Sequence, residues 1–126
     1  MNLLLVTEFF PTSADLTFTG GVEARTYYLA RELKKHHHVT IISRSTTNIP
    51  ATLGSVFSRL IFIGKAIIHG WRSHPQLVEG SNFVTYLPAF LIAKLKKTPA
   101  VAWYPDVFLG TWQQKFGLIG IFGEVI

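Results

Sequence analysis

Two adjacent glycines, Gly20 and Gly21, stand where a loop gives way to a helical pattern, in the stretch TGGVEARTYYLARELKK. Glycines at such a junction let the backbone pass close to a ligand, and the free N–H groups at a helix start, with the helix dipole, attract phosphate or carboxylate. The same pair also relieves a tight turn into a helix, and both readings stay open at this point. The dinucleotide fingerprint GxGxxG and the P-loop pattern are absent, which weakens nicotinamide and ATP readings. The triplet His36 to His38 offers imidazoles, but consecutive residues point in different directions and no Cys or acidic partner is adjacent. A solvated helix end running into a strand is expected there, not a metal site, and His69 and His74 stand too far apart to add one. No metal or cofactor is expected. Gly117, Gly120 and Gly123 in FGLIGIFGEVI lack a Gly-Lys-Ser/Thr ending, so they are expected to form a bare stripe for close packing. In AWYPDVFLGTW, Trp103 and Tyr104 are expected in a strand and in the core, and Phe108 and Trp112 on a ligand or partner surface.

These residues need elements to hold them. The apolar run from Asn2 to Thr7 has strand length and the continuous character of a parallel strand covered on both faces. HVTIIS (His38 to Ser43), PQLVEG around Leu77 and Val78, and PAVAWY (Pro99 to Tyr104) supply three more strands. Between them lie three helical patterns. In the first, Val22, Thr26, Leu29 and Leu33 share one face while Glu23, Tyr27, Arg31 and Lys34 share the other. The second runs from Val56 to His69 and the third from Pro88 to Lys97, with Pro88 expected in the first turn. The order βαβαβαβ implies an α/β fold: a Rossmann-like three-layer domain whose parallel sheet is flanked by helices through right-handed crossovers. Ligands in such sheets sit beyond the carboxyl ends of the strands. The loops Glu8 to Gly21, Arg44 to Pro50, Glu79 to Leu87 and Pro105 to Trp112 are therefore the ones expected to carry function.

With 126 residues, 48% of them hydrophobic, the chain fits one domain, residues 1–126, with material for a real core. The absence of cysteine excludes disulfides and thiolate metal sites and fits a reducing, cytoplasmic address. The start MNLLLVTEFF lacks the basic n-region of a signal peptide. Val56 to Trp71 is the most apolar stretch. It is interrupted by Arg59 and Lys65 and is shorter than the roughly 20 residues a membrane span needs. It is expected to cover the sheet, with peripheral membrane contact through Arg59 and Lys65 as the alternative. The formal net charge is +5, but Lys34, Lys35, Lys94, Lys96 and Lys97 fall at helix ends, where cations complement the dipole. No nucleic-acid partner is expected.

TEFFP, a loop, GGVE, a helix ending LARELKK and a HVTII strand together resemble the N-terminal half of GT-B glycosyltransferases of the glycosyltransferase family 4 (group 1) type. The resemblance continues through LVEGSNFVTYLPAFLIAKLKKTPAVAWYPDV and covers nearly the whole chain. It implies a partial N-terminal GT-B domain that receives the acceptor, while the nucleotide-sugar binds mainly to a C-terminal domain. By resemblance, Gly20 and Gly21 would approach the donor diphosphate, and Glu79, Ser81 and Asn82, following the third strand, would face the acceptor.

Two departures qualify what the resemblance implies. The His-Asp pair common after the fourth strand is Pro105 and Asp106 in this chain, so any role of that histidine is missing. Asp106 would orient an acceptor hydroxyl or simply cap a helix. The C-terminal nucleotide-binding domain with its paired glutamates is also absent from the sequence. The expectation is an acceptor-side domain of a hexosyltransferase-type enzyme, inactive alone, as a fragment or one half of a split enzyme. The alternative is a non-catalytic half-domain that binds a separate catalytic half or forms a homo-oligomer.

Overall fold

The computed structural model describes residues 1–11, 18, 20–50 and 55–104. Four strands and three helices alternate: β1 (Asn2–Val6), α1 (Gly21–Leu33), β2 (His38–Ile42), α2 (Val56–Arg72), β3 (Leu77–Gly80), α3 (Phe83–Lys96) and β4 (Ala100–Ala102). The strands form one parallel sheet in the order β2-β1-β3-β4. β1 is flanked on both sides, which suits its uninterrupted apolar run: Leu3, Leu4, Leu5 and Val6 are all buried.

Side chains alternate across the sheet, so Leu4, Val6, Ile42 and Val78 share one face. They pack with Phe62 and Ala66 of α2 and with Ala89, Ile92 and Ala93 of α3 as one core. α1 lies on the other face, where it reaches Glu79, the neighbour of Val78 in β3. Its inward positions are Glu23, Thr26 and Ala30. The inward face is thus turned from the expected one: Glu23 is buried, and Leu29 and Leu33 are only half-buried. Small residues explain the turn, because Thr26 and Ala30 let the helix lie close to the sheet. The buried Thr26 hydroxyl donates to the Val22 carbonyl at 2.8 Å.

α3 begins five residues earlier than the expected start at Pro88. Asn82 and Thr85 cap it reciprocally: Asn82 Oδ1 accepts from the Thr85 N–H at 3.2 Å, and Thr85 Oγ1 accepts from the Asn82 N–H at 2.9 Å. Pro88 therefore sits in the second turn, buried, and forgoes one helical bond. Lys97 ends the helix in the left-handed region with φ 55°. β4 stops at Ala102, so Trp103 and Tyr104 lie beyond the strand and not in the core, and Tyr104 is 46% exposed. Among the described residues no helix is long and apolar enough to cross a membrane.

Candidate functional site

The chain leaves β1 through α1 to one side of the sheet and returns from β2 through α2 to the other. The segments following β1 and β3 therefore diverge, and the gap between them is the topological switch point where parallel sheets bind ligands. A concavity of about 250 Å³ lies there, lined by Thr7, Phe9, Gly20, Gly21, Glu23 and Asn82 among others. A second concavity, also about 250 Å³, lies at the opposite edge between Asn2, His38, His74 and Pro75. It faces the amino ends of the strands, the wrong edge for a switch-point ligand.

The two expected glycine positions line the first concavity. Gly20 is the N-cap of α1 with φ −173°, an extended backbone that any residue adopts. A Cβ added at Gly20 or at Gly21 would meet nothing within 4 Å. The packing of the described residues does not demand glycine at these two positions. The N-cap offers no side-chain hydrogen bond. The first intrahelical bond is made by the Ala24 N–H to the Gly20 carbonyl, 3.2 Å away. The N–H groups of Gly21 and Val22 precede it, at the positive end of the helix dipole. Glu23, buried in the same first turn, sets a carboxylate beside them. An acid there complements the dipole and weakens the pull on an incoming anion.

The residues expected after β3 divide. The third loop is far shorter than Glu79 to Leu87, because Gly80 ends the strand and Asn82 already caps α3. Asn82 lines the concavity while its Oδ1 holds the helix start. Ser81 is fully buried; its N–H donates to the Val6 carbonyl at 3.1 Å, tying β3 to β1, and its Oγ has no partner among the described residues. Glu79 belongs to β3 itself and does not follow it. Its carboxylate pairs with Arg25 of α1, whose guanidinium lies 4.5 Å above the Trp103 ring. Pro105, Asp106, Phe108, Trp112 and the Gly117, Gly120, Gly123 stripe lie outside the described residues.

One buried pair went unread in the sequence. Arg44 donates to Glu8 Oε1 at 2.8 Å with both side chains almost wholly buried, and the half-exposed Arg59 adds a contact at 3.3 Å. Arg44 also donates to the Ser58 hydroxyl at 3.2 Å. Since Val6 pairs with Ile42, Glu8 and Arg44 stand two residues beyond the strand ends in equal register. The Arg44 N–H accordingly donates to the Glu8 carbonyl at 3.1 Å. A charged residue at the same offset after each of two parallel strands is the signal that could have found the pair. It clamps the chain just after β1, next to Thr7 and Phe9, which line the crevice. At β4, the Tyr86 hydroxyl donates to the Trp103 carbonyl at 2.6 Å, and its ring stacks on Tyr104 with centroids 6.0 Å apart. Burial, then the neighbouring Tyr104, raises the Tyr86 phenol above its ordinary value.

No family model matches the chain, and no curated protein or solved structure matches it either.

Proposed function

We propose that this chain is the acceptor-side, Rossmann-like half of a GT-B glycosyltransferase, which moves a sugar from a nucleotide donor to an acceptor hydroxyl once a nucleotide-binding domain completes it. The observation that carries this reading is the glycine-led start of α1, without a side-chain cap, at the switch point of a parallel sheet. The GGVE resemblance supports it. In this role Gly20 and Gly21 admit the donor diphosphate to the N–H groups of the first turn, which stabilise the charge that builds on the leaving diphosphate. Asn82, across the concavity, hydrogen-bonds an acceptor hydroxyl. Ser81, whose N–H ties β3 to β1, precedes it in the chain, and the Glu79 carboxylate is taken up by Arg25. Asp106 is assigned the orientation of the acceptor hydroxyl. A cysteine-free chain fits the reducing cytoplasm.

The test is to titrate the 15N-labelled chain with pyrophosphate, UDP and GDP and follow each amide. The expected result is saturable shifts confined to residues 20–23 and to Asn82. No shift, or shifts spread over the lysine-bearing helix ends instead, overturns the reading.

The second reading, a non-catalytic half-domain that associates with a partner or with itself, draws on the exposed apolar residues of α2. It predicts association in solution and no response of any amide to nucleotides.

A further inference from the structure

The outer face of α2 is as apolar as its inner one. Phe62, Ala66 and Gly70 face the sheet, while Phe57, Leu60, Ile61, Ile68 and Trp71 recur at helical spacing on the opposite side. All five are exposed, Trp71 by 66%. α3 repeats the pattern with exposed Phe83, Leu87 and Phe90, opposite its buried Pro88 and Ile92. The two helices are neighbours on the same sheet face, joined where Gly70 abuts Ile92. Their outer stripes therefore lie side by side.

Charge identifies the occupant. Neither helix contains an Asp or Glu, and together they carry Arg59, Lys65, Arg72, Lys94 and Lys96. Arg59 turns to the buried Glu8, and Lys65 donates to the Thr47 carbonyl at 3.0 Å. The two cations expected to meet a membrane are thus engaged within the fold. Exposed Arg72 and Lys94, in the last turns of the two helices, take their place. Both helices run back along the sheet, so both last turns lie at its amino edge, away from the crevice. Trp71 precedes Arg72, and Lys94 Nζ stands 5.9 Å over the Phe90 ring. Each pairs an aromatic ring with a cation, as at a boundary that is apolar on one side and anionic on the other.

We propose that the outer face of α2 and α3 docks flat on an anionic lipid bilayer. The apolar stripes enter the boundary between headgroups and acyl chains, and Arg72 and Lys94 meet lipid phosphates. A second copy of this chain is a poorer occupant, because neither face carries an acid to pair with the cations of the other. This surface is separate from the crevice and does not depend on the sugar-transfer reading.

Sedimentation of the chain with vesicles tests the proposal. Binding is expected to vesicles of phosphatidylcholine mixed with phosphatidylglycerol, and far less to phosphatidylcholine alone. Arg72→Glu with Lys94→Glu, and separately Trp71→Ser with Phe90→Ser, should each weaken it about tenfold or more. Arg31→Glu with Lys34→Glu on α1 makes the same change in net charge and should leave most of the binding. Equal loss in that control overturns the face as the docking surface. Failure to bind overturns the proposal as well, whether the chain is monomeric or forms a dimer that Trp71→Ser with Phe90→Ser dissolves, which would name a second copy as the occupant. A measurement without substitutions guards against loss of fold: spin-labelled lipid in nanodiscs should broaden amides of α2 and α3 and spare those of α1. Broadening of α1 instead counts against the proposal.

Discussion

Gly21 is the residue at which stability and function are expected to part. It opens α1, and a Cβ there would meet nothing in the described fold. Alanine at a compatible helical position lowers the entropy of the unfolded chain and stabilises by about 0.4–1 kcal/mol. The added methyl would nevertheless occupy the concavity that Gly21 lines. Gly21→Ala should therefore raise the midpoint of urea unfolding while weakening pyrophosphate binding several-fold. A variant that gains stability and binds as before would remove close backbone approach as the reason for glycine. The glycine pair was legible in the sequence because a loop-to-helix junction is a local pattern. The Glu8–Arg44 pair was not, because it depends on the register of two strands 36 residues apart. Glu79 was misplaced for a related reason: a charged residue reads as the end of a strand unless its partner, Arg25 on another element, is known.

The elements themselves were legible where apolar residues run or recur, and their boundaries were not where hydrogen bonding decides them. Pro88 marked a helix start by type, yet the Asn82–Thr85 cap set the start a turn and more upstream. The packing of α2 on α3 depends on a glycine that the sequence presents without distinction from its neighbour Gly64. A Cβ at Gly70 would fall well inside contact distance of Ile92 Cδ1 and Cγ1, and Ile92, fully buried, has nowhere to turn. Overpacking of this kind costs about 1–3 kcal/mol. It outweighs the gain of about 1 kcal/mol that alanine brings to a helix interior. Gly64 faces open space. Gly70→Ala should lower the unfolding free energy and Gly64→Ala should raise it, and Ile92→Val should recover part of the loss at Gly70. A Gly70→Ala variant as stable as Gly64→Ala would mean that α2 and α3 do not meet at Gly70, and destabilisation by Gly64→Ala would mean that Gly64 does not face open space.

On the scale of the whole molecule, composition and alternation implied a parallel α/β sheet, while the order of its strands is a property of long-range pairing that no local pattern encodes. The order still has a chemical logic. β1 is Leu- and Val-rich and lies between two neighbours, whereas β4, Ala100–Ala102, is short, made of small residues and exposed along its length. An edge strand loses its hydrogen bonds by local opening, but β1 and β3 can be released only when the sheet comes apart. Hydrogen exchange should then find the slowest amides in β1 and β3, near the limit set by global unfolding, and distinctly faster exchange in β4. Equal protection of β4 would mean that another segment pairs with it or that the order β2-β1-β3-β4 is wrong. The switch point exists only if β1 and β3 are adjacent with their connections leaving to opposite sides. The exchange pattern therefore tests the geometric basis of the crevice before any ligand is added.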